Sequence, residues 1–91
     1  DTPKENRQAV IVLDAKVGPT EMDHEMMRLL RANDVPFFLA ANKIDLLNQS
    51  ERHSQLKIIG EETLGAEIIP CSTKTKEGKE EIRGLLAMDY A

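Results

Sequence analysis

Two continuous apolar runs and a shorter third, each leading into a polar cluster, set the limits on what this chain can fold into. Ala9-Val10-Ile11-Val12-Leu13 ends in Asp14. Val35-Pro36-Phe37-Phe38-Leu39-Ala40-Ala41 runs into Asn42-Lys43-Ile44-Asp45. Ala66-Glu67-Ile68-Ile69-Pro70-Cys71 leads to Ser72-Thr73-Lys74-Thr75-Lys76. A strand covered on one face alternates apolar with polar residues. A strand covered on both faces is apolar throughout, which is the habit of parallel sheets. Pro36 stands at the start of its run, where a missing N–H is tolerated.

Between these runs the spacing turns helical. Val17-Gly18-Pro19 breaks the first strand, and Thr20 stands where a helix N-cap belongs. Glu21 and Asp23 follow in the first turn, where acids suit the helix dipole. Met22, Met26, Leu29 and Leu30 share one helical face and are expected to point at the core, with Met27 at its margin. Asn33-Asp34 ends this helix. Ser50 is the expected cap of a second helix, with Leu56, Ile59 and Leu64 as its apolar stripe and Gly65 as the left-handed residue at its end. A last helix begins near Gly78, with Glu80 and Glu81 in its first turn and Ile82, Leu85 and Leu86 inward. The order is βαβαβα. Right-handed crossovers turn that order into an α/β fold, an open three-layer sheet of three parallel strands in sequential order with helices on both faces.

Ninety-one residues hold one such domain, with no internal repeat and no interior linker. The first eight residues are polar and expected to fray. Hydrophobic residues are 41% of the chain and aromatics 3%, so the core must be aliphatic. The net charge of −4 argues against a nucleic-acid binder that works by bulk positive charge, and against an anionic membrane surface. One cysteine makes no internal disulfide. The apolar runs are far too short to span a bilayer, and no charged-then-apolar leader opens the chain. The expectation is a soluble cytoplasmic protein.

In open parallel sheets ligands bind beyond the carboxyl ends of the strands. Residues 14–20, 42–45 and 72–76 lie there. The form Asn-Lys-x-Asp at 42–45 resembles the guanine-recognition motif of P-loop GTPases. Guanine presents two adjacent donors, the ring N1–H and the exocyclic amine. The two oxygens of Asp45 can accept both in a charge-assisted pair. Adenine offers an acceptor at the ring position and no amine at C2, so it would leave the carboxylate desolvated and unpaired. Asn42 can reach the N7 side of the base, and the aliphatic stem of Lys43 can lie over the purine face. Taken alone, the tetrapeptide also reads as an ordinary turn with Asp45 as a cap.

After a further helix and strand comes Cys71-Ser72-Thr73-Lys74, which resembles the Ser-Ala-Lys loop that closes over the base in the same GTPases. That resemblance implies a backbone N–H at Thr73 for the guanine O6, with Lys74 flanking the base opposite Lys43. Beyond the two motifs, residues 13–23, 34–39, 50–57 and 72–78 look like the EngB family of bacterial ribosome-assembly GTPases. Asn42 departs from the Thr usual in EngB. It matches the form found in most other translation-related GTPases, including the tandem-domain EngA type. The resemblance implies GTP or GDP as ligand, GTP hydrolysis, magnesium and the large ribosomal subunit as partner.

The same family needs a phosphate cradle, Gly-x-x-x-x-Gly-Lys-Ser/Thr, whose N–H groups and lysine hold the phosphates. The five glycines stand at 18, 60, 65, 78 and 84, and none opens that pattern. Asp1-Thr2-Pro3-Lys4 echoes the magnesium-side Asp-x-x-Gly loop only faintly, since Lys4 replaces its glycine. The resemblance therefore covers the carboxyl-terminal half of a GTPase domain. It predicts base recognition by Asn42, Lys43, Asp45, Ser72, Thr73 and Lys74, with no catalytic residue and no metal ligand. The outer edge of the strand at 9–13 would pair with the other half of such a domain, or with a second copy of this chain. The alternative is an α/β scaffold or interaction module that binds no nucleotide.

Other residues carry plainer readings. Cys71 has no partner motif and reads as a quiet strand-end thiol. His24 and His53 have no metal-ligand spacing and are expected at the surface. Glu77, Lys79, Glu80 and Glu81 read as a solvated helix start. Asp14 either caps the turn after its strand or faces a ligand.

Overall fold

The computed structural model describes residues 8–87. The elements are β1 (Ala9–Asp14), α1 (Glu21–Ala32), β2 (Phe37–Asn42), a short 3-10 helix (Ile44–Leu46), α2 (Gln49–Glu62), β3 (Ile68–Pro70) and α3 (Lys79–Ala87). The sheet is wholly parallel, in the order β1-β2-β3. Ala9 lies opposite Phe37 and Asp14 opposite Asn42, so β1 and β2 end level with each other. The expected architecture holds. The third strand is shorter than its apolar run, because only residues 68–70 form a strand beside β2. The fraying expected for the first eight residues and the Asp1-Thr2-Pro3-Lys4 echo lie outside the described residues, save for the half-buried Gln8.

Strand alternation divides the core between the two faces of the sheet. Ile11, Leu13, Leu39 and Ala41 turn to one face, where they cluster with Met27 of α1 and with Ile44 and Ile59 of α2 and its approach. Phe38 and Ala40 turn to the other face and are also buried. Ile69 and Leu85 of α3 line one groove there. On that face of β1, Val10 and Val12 remain exposed, Val12 by 62%.

Thr20 caps α1 as expected. Its hydroxyl accepts from the N–H of Asp23, and the Asp23 carboxylate accepts from the N–H of Thr20. The inward face of α1 is not the expected one. Met27 is 1% exposed and lies in the core, whereas Met22 is 81% exposed and Met26 and Leu29 are exposed too. The apolar sector of this helix is wider than the strip the sheet covers. Leu30 and Met27 take that strip, and the rest of the sector faces outward.

The cap of α2 is Asn48 rather than Ser50. Its side chain accepts from the N–H of Glu51, whose carboxylate accepts from the N–H of Asn48. That reciprocal pair needs an acid three residues on, which Asn48 has and Ser50 lacks. At the far end Leu64 does not join the apolar stripe, being 81% exposed with φ +57° beyond the last helical turn. Gly65 is left-handed as expected, and its N–H reaches back to the Gly60 carbonyl at 2.9 Å. The two residues together close the helix in a Schellman-type turn.

Candidate functional site at the carboxyl edge of the sheet

β2 ends at Asn42, and its chain then bends sharply. Lys43 carries φ +66°, a left-handed conformation that costs a non-glycine residue about 1–2 kcal/mol. The bend is held from outside: the N–H of Ile44 donates to the Cys71 carbonyl at 3.1 Å, and the Ile44 side chain is fully buried. A buried isoleucine thus fixes the loop, and Asp45 follows on the half-buried turn.

The second loop leaves β3 beside the first because consecutive parallel strands end side by side. Ser72 is buried, and its hydroxyl organises both loops. It donates to Oδ1 of Asp45 at 2.7 Å. It accepts from the N–H groups of Lys74 and Thr75, each at 3.1 Å. The Ser72 N–H donates to the Glu77 carbonyl at 3.1 Å, and the Lys76 N–H to the Ser72 carbonyl at 2.8 Å, which closes the loop on itself. Oδ2 of Asp45 accepts no hydrogen bond from the described residues. An open cleft of about 380 Å³ beside these loops is lined by Asn42, Ser72 and Thr73, with Cys71 and Ile82 as its apolar wall.

All six residues singled out in the sequence therefore gather at one edge. Asn42, Ser72 and Thr73 line the cleft. Asp45 is joined to Ser72. Lys43 and Lys74 are exposed on the same two loops and do not line the cleft. Cys71 is the quiet thiol expected: it is buried, with Sγ 3.9 Å from Oδ1 of Asn42. Burial first, and the nearby Glu77 carboxylate second, push its pKa upward. Of the histidines, His53 is exposed and His24 is half-buried.

Asp14 caps its turn and also holds a lysine of the motif. Its Oδ1 accepts from the N–H of Lys16 at 2.8 Å and of Val17 at 3.3 Å. Its Oδ2 lies 3.5 Å from the Lys43 ammonium. Partial burial pushes the carboxyl upward, but the two N–H donors and Lys43 outweigh it and hold the pKa below the ordinary 3.8. This pairing of Asp14 with Lys43 was not expected from the sequence.

Glu77 corrects a second reading. It is not part of a solvated helix start but half-buried, gripped by both arms of the Arg52 guanidinium at 2.8 Å each. That fork raises the pKa of Arg52 further. No local pattern marks this pair, since its members lie 25 residues apart.

The site does not fit a resident magnesium ion. No group of three or more His, Cys, Asp or Glu side chains among the described residues could hold a metal. The carboxylate that lines the cleft, Glu77, is held by Arg52, and Asp14 and Asp45 are engaged with Lys43 and Ser72.

The sequence model of the elongation factor Tu GTP-binding domain matches residues 6–89. The probable GTP-binding protein EngB of Pelotomaculum thermopropionicum is 34% identical over 83 residues, covering 87% of this chain and 42% of that protein. GTPase Der of Leifsonia xyli is 45% identical over 51 residues, covering 56% of this chain and 11% of its own. Among solved structures, translation elongation factor SelB of Methanococcus maripaludis in complex with the GTP analogue GppNHp superposes with a TM-score of 0.77 at 29% identity. That match covers 91% of this chain and 20% of SelB. The chain thus spans less than half the length of these relatives.

Proposed function

This chain belongs to the family of the elongation factor Tu GTP-binding domain, and from that membership we propose that its two loops read the guanine base of GTP or GDP. One observation carries the proposal: the Asp45 carboxylate is held by Ser72 through Oδ1, while Oδ2 accepts no hydrogen bond from the described residues. A carboxylate so held is preset for two adjacent donors, which guanine has and adenine lacks. The N–H of Thr73 then serves the guanine O6, and the stems of Lys43 and Lys74 flank the ring. Asn42 lies at the cleft toward N7.

These residues grip a base and place no group at a γ-phosphoryl. Positioning and charge stabilisation at that phosphoryl are what GTP hydrolysis requires. We therefore assign recognition, not turnover, to these 91 residues. Base contacts alone make a weak site, with affinity in the high micromolar range, about −5 kcal/mol. Likeness to EngB further supports a cytoplasmic role in assembly of the large ribosomal subunit, with magnesium held by residues other than those described here.

The test is a titration with fluorescently labelled GDP and labelled ADP. Saturable binding of GDP with ADP at least about tenfold weaker is expected, a difference of about 1.4 kcal/mol. Binding of neither, or of both alike, would overturn the reading in favour of a scaffold that takes no nucleotide. Chelating magnesium should leave the base preference unchanged.

A further inference from the structure

Two side chains of helix α2 hold the loops on either side of the candidate site. Arg52 and Gln55 lie three residues apart, on one face of the helix. Arg52 grips the Glu77 carboxylate with both guanidinium arms at 2.8 Å. Gln55 donates through Nε2 to the Lys16 carbonyl at 3.0 Å.

Each contact leads by short steps to a motif residue. The Glu77 carbonyl receives the Ser72 N–H, and the Ser72 hydroxyl holds Asp45. On the other side, the Lys16 N–H meets Asp14, whose second oxygen faces Lys43. Gly78, next to Glu77, packs so closely under β3 that a Cβ there would sit 2.3 Å from the Pro70 carbonyl oxygen. The loop 72–77 is thus pinned at its far end by backbone and on its flank by Arg52. A planar fork fixes direction as well as distance, which a lysine does not.

We propose that Arg52, through Glu77, is a positioning residue for the guanine-reading carboxylate: it sets the loop that holds Asp45 at the angle needed to receive the 2-amine of the base. The proposal rests on the guanine reading above. It makes Arg52 a determinant of specificity although it lies outside both motifs. Gln55 plays the parallel part for Lys43, whose expected contact is with the ring face and is blind to the 2-amine.

Two readouts test it in the 91-residue chain. The first needs no ligand. Amide hydrogen exchange at Ser72, Lys74 and Thr75 should rise about tenfold in Arg52→Ala, with the Leu39 and Ala41 amides of β2 unchanged. Arg52→Lys should fall between the two. No rise, or an equal rise throughout the sheet, would overturn the proposal.

The second readout compares GDP with IDP, whose hypoxanthine base lacks the 2-amine. Wild type should prefer GDP, and Arg52→Ala should bring the two affinities together by lowering that for GDP. Gln55→Ala should weaken both equally. An unchanged GDP-to-IDP ratio in Arg52→Ala, with both affinities lowered alike, would reduce Arg52 to general support and overturn its role in specificity. A wild type indifferent between GDP and ADP would sink the guanine reading instead, and the exchange measurement would still decide whether Arg52 orders the loop.

Discussion

The Ser72 hydroxyl donates to the Asp45 carboxylate at 2.7 Å across 27 residues of chain. One loop ends β2 and the other ends β3, so the bond forms only when the α2 crossover has brought β3 beside β2. Among the described residues, Oδ2 of Asp45 accepts no hydrogen bond. The same hydroxyl takes the Lys74 and Thr75 N–H groups, so a single oxygen holds the Asp45 carboxylate and shapes the loop beside it.

Under the proposed guanine reading, base choice follows from that carboxylate. Asp45→Asn puts a donor against a donor of guanine and should weaken guanine binding by about 1–3 kcal/mol. Xanthine carries a carbonyl where guanine has its amine, so the variant should gain affinity for xanthosine diphosphate. Competition between the two nucleotides for one labelled ligand measures the switch. Equal loss for both would mean that Asp45 supports the loop and reads nothing.

Much of this was legible in the order of residues. Continuous apolar runs at 9–13 and 35–41 announce parallel strands, although only β2 is covered on both faces and Val10 and Val12 of β1 stay exposed; consecutive parallel strands present their carboxyl ends on one side. That alone brings Asn42 and Ser72 to one edge. Thr20 is readable as a cap because its partner Asp23 stands three residues away. The same rule favours Asn48 over Ser50, since only Asn48 has its acid at that spacing. What was not legible depends on tertiary placement. Periodicity marks a broad apolar sector on α1, but the sheet selects Met27 and leaves Met22 out. Glu77 reads as part of a solvated helix start, and only the packing of α2 beside the loop joins it to Arg52. The pairing of Asp14 with Lys43 arises because β1 and β2 end level, a matter of register.

Among the glycines, Gly78 is the least open to change. It combines φ +79° with a carbonyl oxygen 2.3 Å from where a Cβ would lie. Gly78→Ala must pay for the left-handed backbone and also push Pro70 aside. A loss of more than about 2 kcal/mol is expected by urea unfolding, because both costs fall on rigid backbone. Gly84→Ala is the control, since nothing lies within 4 Å of its added Cβ. That helical site should gain stability by about 0.5–1 kcal/mol.

Acid should find Asp14. Its folded pKa lies below the ordinary 3.8, so the carboxylate stabilises the fold above that value. The contribution is lost as pH falls from 3.8 through the lowered folded value. Asp14→Asn removes it at every pH. Urea unfolding should therefore show wild type more stable by about 1 kcal/mol at pH 7, the worth of its charged hydrogen bonds. The gap should close below pH 3.8. A gap that stays constant into acid would assign the effect to side-chain shape rather than charge.

The outer edge of β1 pairs with no strand among the described residues, and Val10 and Val12 beside it are exposed. Unpaired backbone flanked by apolar side chains invites strand addition. The purified 91-residue chain should self-associate, with sedimentation equilibrium giving masses above 10.2 kDa that rise with concentration. Val12→Lys places a charge on the exposed face and should return the monomer without loss of fold, since Val12 is 62% exposed. A chain that stays monomeric at millimolar concentration would refute the expectation.

Cys71 gives an alkaline counterpart to Asp14. Burial, and then Glu77, raise its pKa above the ordinary 9.0, so the folded chain keeps the thiol neutral at physiological pH. The thiolate is the reactive species, and the sulfur is shielded as well. Alkylation by iodoacetamide at pH 7.4 should be slower than in the urea-unfolded chain by more than about tenfold. The shifted pKa also has a stability sign. Because the folded value is raised, the contribution of the neutral thiol is present in full below 9.0 and is lost as pH climbs through the folded value. Wild type should weaken above pH 9.0 more steeply than Cys71→Ala, which has no thiol to ionise. Parallel alkaline profiles for the two chains would mean that the thiol titrates alike folded and unfolded, and rapid alkylation of the folded chain would mean that the sulfur is open to solvent.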